Sequence, residues 1–147
     1  MNKGFKERTI AVMSAPLDLI LAAKSEIALI KIDVEGHELS VLKGALSTIR
    51  RVKPSIIVES EARHHPSAPG SVFEILKSEG YDGFFIHKAE LNPLQRFSVA
   101  SFQAECNLKS VQGRRCEDYV NNFIFLHPSR QSILSHIEKI FPAAVSI

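Results

Sequence analysis

The sequence predicts an α/β fold, with a mostly parallel sheet that ends in an antiparallel C-terminal strand pair. Three observations carry this. An apolar, β-branched run at residues 27–34 is followed by an amphipathic stretch at 37–51 and a second apolar run at 55–59, and the 34 residues from 27 to 60 have the size of a βαβ unit. The strand, loop and helix order then repeats through residue 78. Beyond Gly80, two β-rich runs at 83–87 and 119–126 have no helix of useful length between them, which predicts an antiparallel, hairpin-like pair.

Element by element, residues 9–13 suit a short edge strand and 16–24 a short helix carrying Leu17, Leu19, Ile20 and Leu21. The run at 27–34 is nearly continuous in apolar residues and closed by Gly36, the pattern of a parallel, central strand covered on both faces. From His37 to Arg51, Leu39, Leu42, Leu46 and Ile49 recur at three and four, while Ser40, Lys43, Ser47 and Arg50 take the outer face. Burying each of those four apolar side chains stabilises by about 1.5–3 kcal/mol before entropy is subtracted, so packing holds this helix. Pro54 removes a donor and restricts Lys53, stopping the helix near Arg51 or Val52. The strand at 55–59 follows through a right-handed crossover. A polar, Pro-containing loop at 61–70 leads to a helix at 71–78, with Val72, Phe73 and Leu76 inward and Gly80 at its C-terminal cap. The long polar segment 88–118 admits one short strand at 96–101, and 129–141 reads as a last helix.

The chain has 147 residues, 45% apolar and 23% charged, the balance of a single globular domain. At this length roughly 68–70% of the unfolded surface is buried, so a core forms without disulfides or metals. A net charge of +2 argues against nucleic acid or an anionic membrane as partner. Cys106 and Cys116 make no Cys-x-x-Cys pair, the start has no apolar signal core, and no apolar run approaches the ~20 residues that span a bilayer, which predicts a reduced, cytoplasmic protein.

Ligands of open α/β sheets bind outside the carboxyl ends of parallel strands, and both ends here display acids. The first strand runs into Asp33-Val-Glu35-Gly-His37-Glu38 and the second into Glu59-Ser-Glu61, followed by His64 and His65. Alternation along the strand sets Asp33 opposite Val34, and Gly36 permits a sharp exit that turns Glu35 back over the strand end. Such a rim serves a general base, a hard divalent cation, or hydrogen bonds to a polyhydroxyl or cationic ligand. An acid inside an apolar strand is costly unless paired, which singles out Asp33, with Lys31 two residues back as its structural partner. Glu59 has a similar case. Glu38 suits the first turn of the helix that follows, where carboxylates are favoured by roughly 0.3–1 kcal/mol. His37-Glu38 lacks the second His of a zinc helix, since Val41 stands there, and His87, His127 and His136 have no acidic or cysteine company in the sequence. A divalent cation among Asp33, Glu35, His37 and Glu59 is the weakest alternative.

The stretch Ile30-Lys-Ile-Asp-Val-Glu-Gly-His-Glu-Leu-Ser-Val-Leu-Lys-Gly-Ala45, followed by Pro54-Ser-Ile-Ile-Val-Glu59, resembles the signature of the FkbM family of S-adenosylmethionine-dependent methyltransferases. Pro16-Leu-Asp18, Glu79-Gly-Tyr81 and Asn121-Asn-Phe-Ile-Phe125 extend the resemblance, which covers residues 9–126. It implies part of a class I methyltransferase (Rossmann-like) sheet, with 27–34 as the fourth strand, 55–60 as the fifth, and the last two strands as its antiparallel end. It also implies methylation of a hydroxyl on a small-molecule or glycan acceptor such as a sugar or secondary metabolite. By the same resemblance Asp33 lies near S-adenosylmethionine and the acceptor, with Glu35, His37 and Glu59 lining the acceptor side, and Asp33, Glu35 and Glu59 are the candidates for catalysis. His64 is a further candidate for substrate binding.

One feature departs from the family. A class I methyltransferase carries a Gly-rich loop after its first strand and an acid after its second, whereas only Gly4 precedes Gly36 here. The expectation is therefore a single domain, 1–147, corresponding to the C-terminal part of such an enzyme. Its fourth strand would lack a neighbour and offer an apolar edge to a second copy or another chain, which makes a non-catalytic pairing module the alternative.

Overall fold

The computed structural model describes residues 9–21, 26–108 and 118–142. Along them run α1 (Leu17–Ile20), β1 (Leu29–Ile32), α2 (Glu38–Lys43), α3 (Leu46–Val52), β2 (Ser55–Glu59) and α4 (Gly70–Ser78). The second half adds β3 (Asp82–His87), β4 (Glu90–Pro93), α5 (Val99–Phe102), α6 (Glu105–Leu108), β5 (Asn122–Leu126) and α7 (Gln131–Ile140). The five strands form one sheet in the order β1-β2-β5-β3-β4.

β1 and β2 run parallel, with Leu29 beside Ser55 and Ile32 beside Val58. The β2–β5, β5–β3 and β3–β4 pairs are all antiparallel. The α/β class and the antiparallel end are as expected, but the sheet is not mostly parallel. A helical crossover joins spatial neighbours only between β1 and β2; the strand that lies on the other side of β2 is β5, which arrives from the far end of the chain in the opposite direction. β1 is correspondingly an edge strand rather than a central one, with Leu29 52% exposed. At the other edge the Leu91 amide of β4 donates to the Pro142 carbonyl at 3.1 Å.

The helix expected from 37 to 51 breaks into α2 and α3 at Gly44 and Ala45. The break is stabilised from a distance. The Asp18 carboxylate accepts the Ser47 amide at 3.0 Å and the Thr48 amide at 2.7 Å, capping α3, whose own cap residue Ala45 has no side-chain acceptor. Such a cap contributes about 0.5–2 kcal/mol. Burial works to raise the Asp18 carboxyl, and the hydrogen bonds from Thr48 and Ser47 outweigh it and hold it below its ordinary value. Gly44 faces Pro16, and a side chain there would start 3.4 Å from it, in ordinary contact. Leu42 and Ile49 are fully buried, Leu39 and Leu46 partly so, and the outer positions 40, 43, 47 and 50 are exposed as expected. α3 ends at Val52 with Lys53 in the left-handed region, φ 46°, just before buried Pro54.

The core lies against one face of the sheet. Ile32, Ile56, Val58, Phe85, Phe123 and Phe125 meet Leu42 and Ile49 of the α2–α3 layer and Val72 and Leu76 of α4. Ile57, between Ile56 and Val58, points to the other face and is only half-buried, the alternation a strand requires. Phe73 and Phe97 pack edge-on to Phe123 with ring centroids 4.7 and 4.8 Å away.

The β3–β4 hairpin is absent from the sequence reading. Its two-residue turn, Lys88-Ala89, has φ of 49° and 61°, a conformation usually announced by Asn-Gly or Asp-Gly. Residues 96–101 form no strand: a 3₁₀ turn at Leu94–Arg96 and then α5 occupy that stretch. Residues 9–13 are non-repetitive, with Ile10, Val12 and Met13 exposed, and the helix expected at 16–24 is the four residues of α1, residues 22–25 lying outside the described chain. α4, β2 and α7 fall where expected, and β5 takes only the last five of the residues expected at 119–126. Cys106 is exposed and unbridged, while Cys116 lies outside the described residues. Among the described residues no helix is long and apolar enough to cross a membrane.

Candidate functional site

The parallel pair delivers Asp33 and Glu59 to the same face of the sheet's carboxyl end. Lys31 stands between them, its Nζ 3.5 Å from the Asp33 carboxylate and 4.0 Å from that of Glu59, and it donates to Asn122 Oδ1 at 3.2 Å. The Lys31 partner expected for Asp33 is thus in place, though Asp33 is half exposed and such a pair contributes only about 0–1 kcal/mol.

Past β1 the chain turns sharply, the His37 amide donating to the Val34 carbonyl at 3.3 Å. Glu35 and Gly36 both take positive φ, 44° and 99°. For a non-glycine residue this costs of order 1–3 kcal/mol and persists only where surroundings impose it. Glu38 does part of the imposing, its buried carboxylate accepting the Gly36 amide at 2.7 Å. Glu38 is therefore structural, tying the turn to the start of α2. The loop after β2 supplies the rest: the His64 carbonyl oxygen lies 3.0 Å from where a side chain on Gly36 would begin.

That loop is organised by Glu61, whose side chain is 1% exposed. Arg63 donates to its carboxylate through Nε at 2.5 Å and Nη2 at 3.1 Å, the Tyr119 hydroxyl donates to it as well, and Asn121 Nδ2 at 3.1 Å. Asn121 also reaches Glu59 at 2.7 Å, linking the two acids after β2. Burial would push the Glu61 carboxyl up; the hydrogen bonds from Arg63, Tyr119 and Asn121 win and hold it at about 2. Gln103 locks the loop from the far side, accepting the Ala62 amide at 2.8 Å and donating to the carbonyls of Ser60 and Val120 at 2.8 and 3.0 Å. The Glu61 carbonyl then accepts the His64 amide at 3.1 Å, a turn that brings the His64 ring within 3.7 Å of the Glu61 carboxylate.

Of the residues expected at the site, Asp33, Glu35, Glu59 and His64 share one crevice with Glu38 and Glu61, a crevice too tight for a water molecule. Glu35, His37 and His64 share the adjoining cavity of ≈290 Å³, whose wall also carries Ser40, His65 and Ser71. Asp33 and His37 line different hollows. His37 and Ser40 in turn border a wider groove of ≈820 Å³ with apolar walls at Val12, Pro16, Leu17 and Val41. Tyr119, Asn121 and Gln103 were not singled out by sequence; the polar Asn121-Asn122 pair opening an otherwise apolar run was the available signal. His87, given no acidic company by sequence, has Asp118 at 3.0 Å. Among the described residues no group of three or more His, Cys, Asp or Glu is arranged to hold a metal ion.

A family model for the methyltransferase FkbM domain matches residues 2–82, more than half of the chain. The chain belongs to the FkbM methyltransferase domain family. No curated protein and no solved structure matches it. The FkbM match takes in β1, α2, α3, β2 and α4 and ends as β3 begins, so it contains the whole parallel unit and the acidic rim, while Tyr119 and Asn121 lie outside it. The FkbM family implies S-adenosylmethionine, and its fit here is limited. The crevice between Asp33 and Glu59 has no free volume and the cavity beside it lies at the small end of ligand pockets, so neither encloses a nucleoside with its amino-acid tail, and the wider groove next to them carries no carboxylate for ribose hydroxyls.

Proposed function

We propose that this FkbM domain serves the transfer of a methyl group from S-adenosylmethionine to a hydroxyl of a sugar or secondary-metabolite acceptor, and that these residues supply the acceptor side. The observation that carries this is the gathering, within the matched unit, of Asp33, Glu35, Glu59 and His64 around one strand-end crevice, with His37 and His64 in the cavity next to it. Carboxylates and imidazoles so placed accept and donate hydrogen bonds to a polyhydroxyl ligand. Glu35, His37 and His64, on the wall of the ≈290 Å³ cavity, orient it, Asp33 and Glu59 set the charge of the closed crevice beside it, and the strained Glu35–Gly36 turn keeps the rim in one geometry before ligand arrives. The test is incubation of the purified chain with methyl-labelled S-adenosylmethionine and a panel of sugar and polyketide alcohols. The expected product is an alkali-stable ether, with Asp33→Asn lowering the rate. Label appearing on carboxyls or amines instead, or on no acceptor, overturns the proposal.

A second reading is favoured by the one-sided pairing of β1. In it the open edge takes a strand from another chain, which completes the donor-binding side or forms a non-catalytic pair. Light scattering at micromolar concentration then reports a mass of two chains or a complex, and a clean monomer across the range counts against it.

A further inference from the structure

We propose that the ligand of this rim is an amphiphile: a hydroxyl-bearing ring, such as a single sugar, seated in the ≈290 Å³ cavity and joined to an apolar chain that lies in the ≈820 Å³ groove beside it. The proposal rests on the reading that a hydroxyl acceptor binds here, and it adds the other half of that molecule.

The two hollows differ in chemistry. The cavity presents Glu35, His37, Ser40, His64, His65 and Ser71, each able to exchange hydrogen bonds with hydroxyl groups. Ligand pockets usually run about 300–1,000 Å³, so a cavity at the low end seats one ring, and whatever that ring carries must lie outside. The groove is walled mainly by Val12, Ala15, Pro16, Leu17 and Val41. Walls of that kind take hydrocarbon out of water and offer little to a second sugar.

His37 and Ser40 stand on the wall of both hollows, so a ligand leaving the cavity on that side meets the groove. Helical spacing sets this up. His37, Ser40, Val41 and Gly44 fall at i, i+3, i+4 and i+7, one face of α2 and its caps, and that face is one side of the groove. The facing side is the segment 12–17. It is pinned at its end, where the Asp18 amide donates to the Gly44 carbonyl at 2.9 Å while the Asp18 carboxylate caps α3. The groove therefore stands ready before a chain enters, which lowers the ordering cost of binding. Its continuity with the hydroxyl-binding cavity assigns it to the tail of the same ligand.

The test is carbon-13 and nitrogen-15 NMR of the wild-type chain, without S-adenosylmethionine, titrated with methyl, butyl and octyl glycosides of glucose, galactose and mannose, each below its micelle concentration. For at least one sugar the affinity is expected to climb with the chain, roughly fourfold for each methylene fully covered. Shifts at His37 and His64 should be joined by shifts at the Leu17 and Val41 methyls as the chain lengthens. Val12→Asp, at a position 80% exposed and so harmless to folding, should remove the gain from the chain and leave the affinity of the methyl glycoside as it was. Absence of binding by every glycoside, equal affinity for methyl and octyl forms, or a chain gain that survives Val12→Asp overturns the proposal. So does octyl tetraethylene glycol ether, a chain with no sugar head, binding as tightly as the octyl glycoside. Failure of the methyl-transfer reading shows elsewhere, as absent ether product, whereas a free sugar methylated as fast as its octyl glycoside sinks the amphiphile alone.

Discussion

Taking the protein from pH 5 to pH 2 removes about 3 kcal/mol of folding stability through Glu61 alone. The carboxyl titrates at 4.5 in the unfolded chain and at about 2 in the fold. A depressed folded value means that the unfolded chain binds the proton first. The stabilisation is therefore complete above about pH 4.5 and drains away as the pH falls toward 2. Asp18 under its two amide donors, Glu79 beside Arg50, and Asp118 beside Lys88 and His87 are held low as well and act in the same direction. Glu61→Gln separates the contribution. Urea unfolding across this pH range should show the variant well below the wild type at pH 7 and converging on it near pH 2. Two curves that stay parallel would mean that Glu61 is not the titrating group.

Replacing Gly36 by alanine lowers stability by about 1–3 kcal/mol and moves His64. Two effects add. The residue sits at φ 99°, where an L side chain is strained, and the new methyl would begin 3.0 Å from the His64 carbonyl oxygen and 3.3 Å from its Cβ. The oxygen is backbone, so it yields only if the loop after β2 shifts. Gly70, at the start of α4, is the matching control: nothing lies within 4 Å of its missing side chain. Gly70→Ala is expected to stabilise by about 0.4–1 kcal/mol, because it narrows the unfolded ensemble at no cost in the fold. Urea midpoints for the two variants should move in opposite directions, and a shared direction would dismiss the clamp between turn and loop.

Some elements are legible locally. β2 announced itself through β-branched residues after Pro54, and α4 through Val72 and Leu76 between a polar loop and Gly80. Asp33 and Glu59 stand out in the sequence as acids at the ends of apolar strands, and the structure sets both on one crevice. What escaped depends on residues far apart in the chain. The break at Gly44 looks like one helix until Asp18 is seen to cap its second half. The Glu61 hub needs Tyr119 from 58 positions away, and its link to Glu59 runs through Asn121 at 62. The sheet is less parallel than the sequence suggests because a chain written as strand, helix, strand, helix does not say which strand will lie next to which. β4 is not legible because Lys88-Ala89 makes a hairpin turn without the residues that usually signal one.

Among the described residues no strand pairs with the outer side of β1, whereas on β4 the Leu91 amide is taken by the Pro142 carbonyl. A second molecule adding its own β1 there would occupy that side of both partners, and any further strand would have to join at β4, where one amide is already in use.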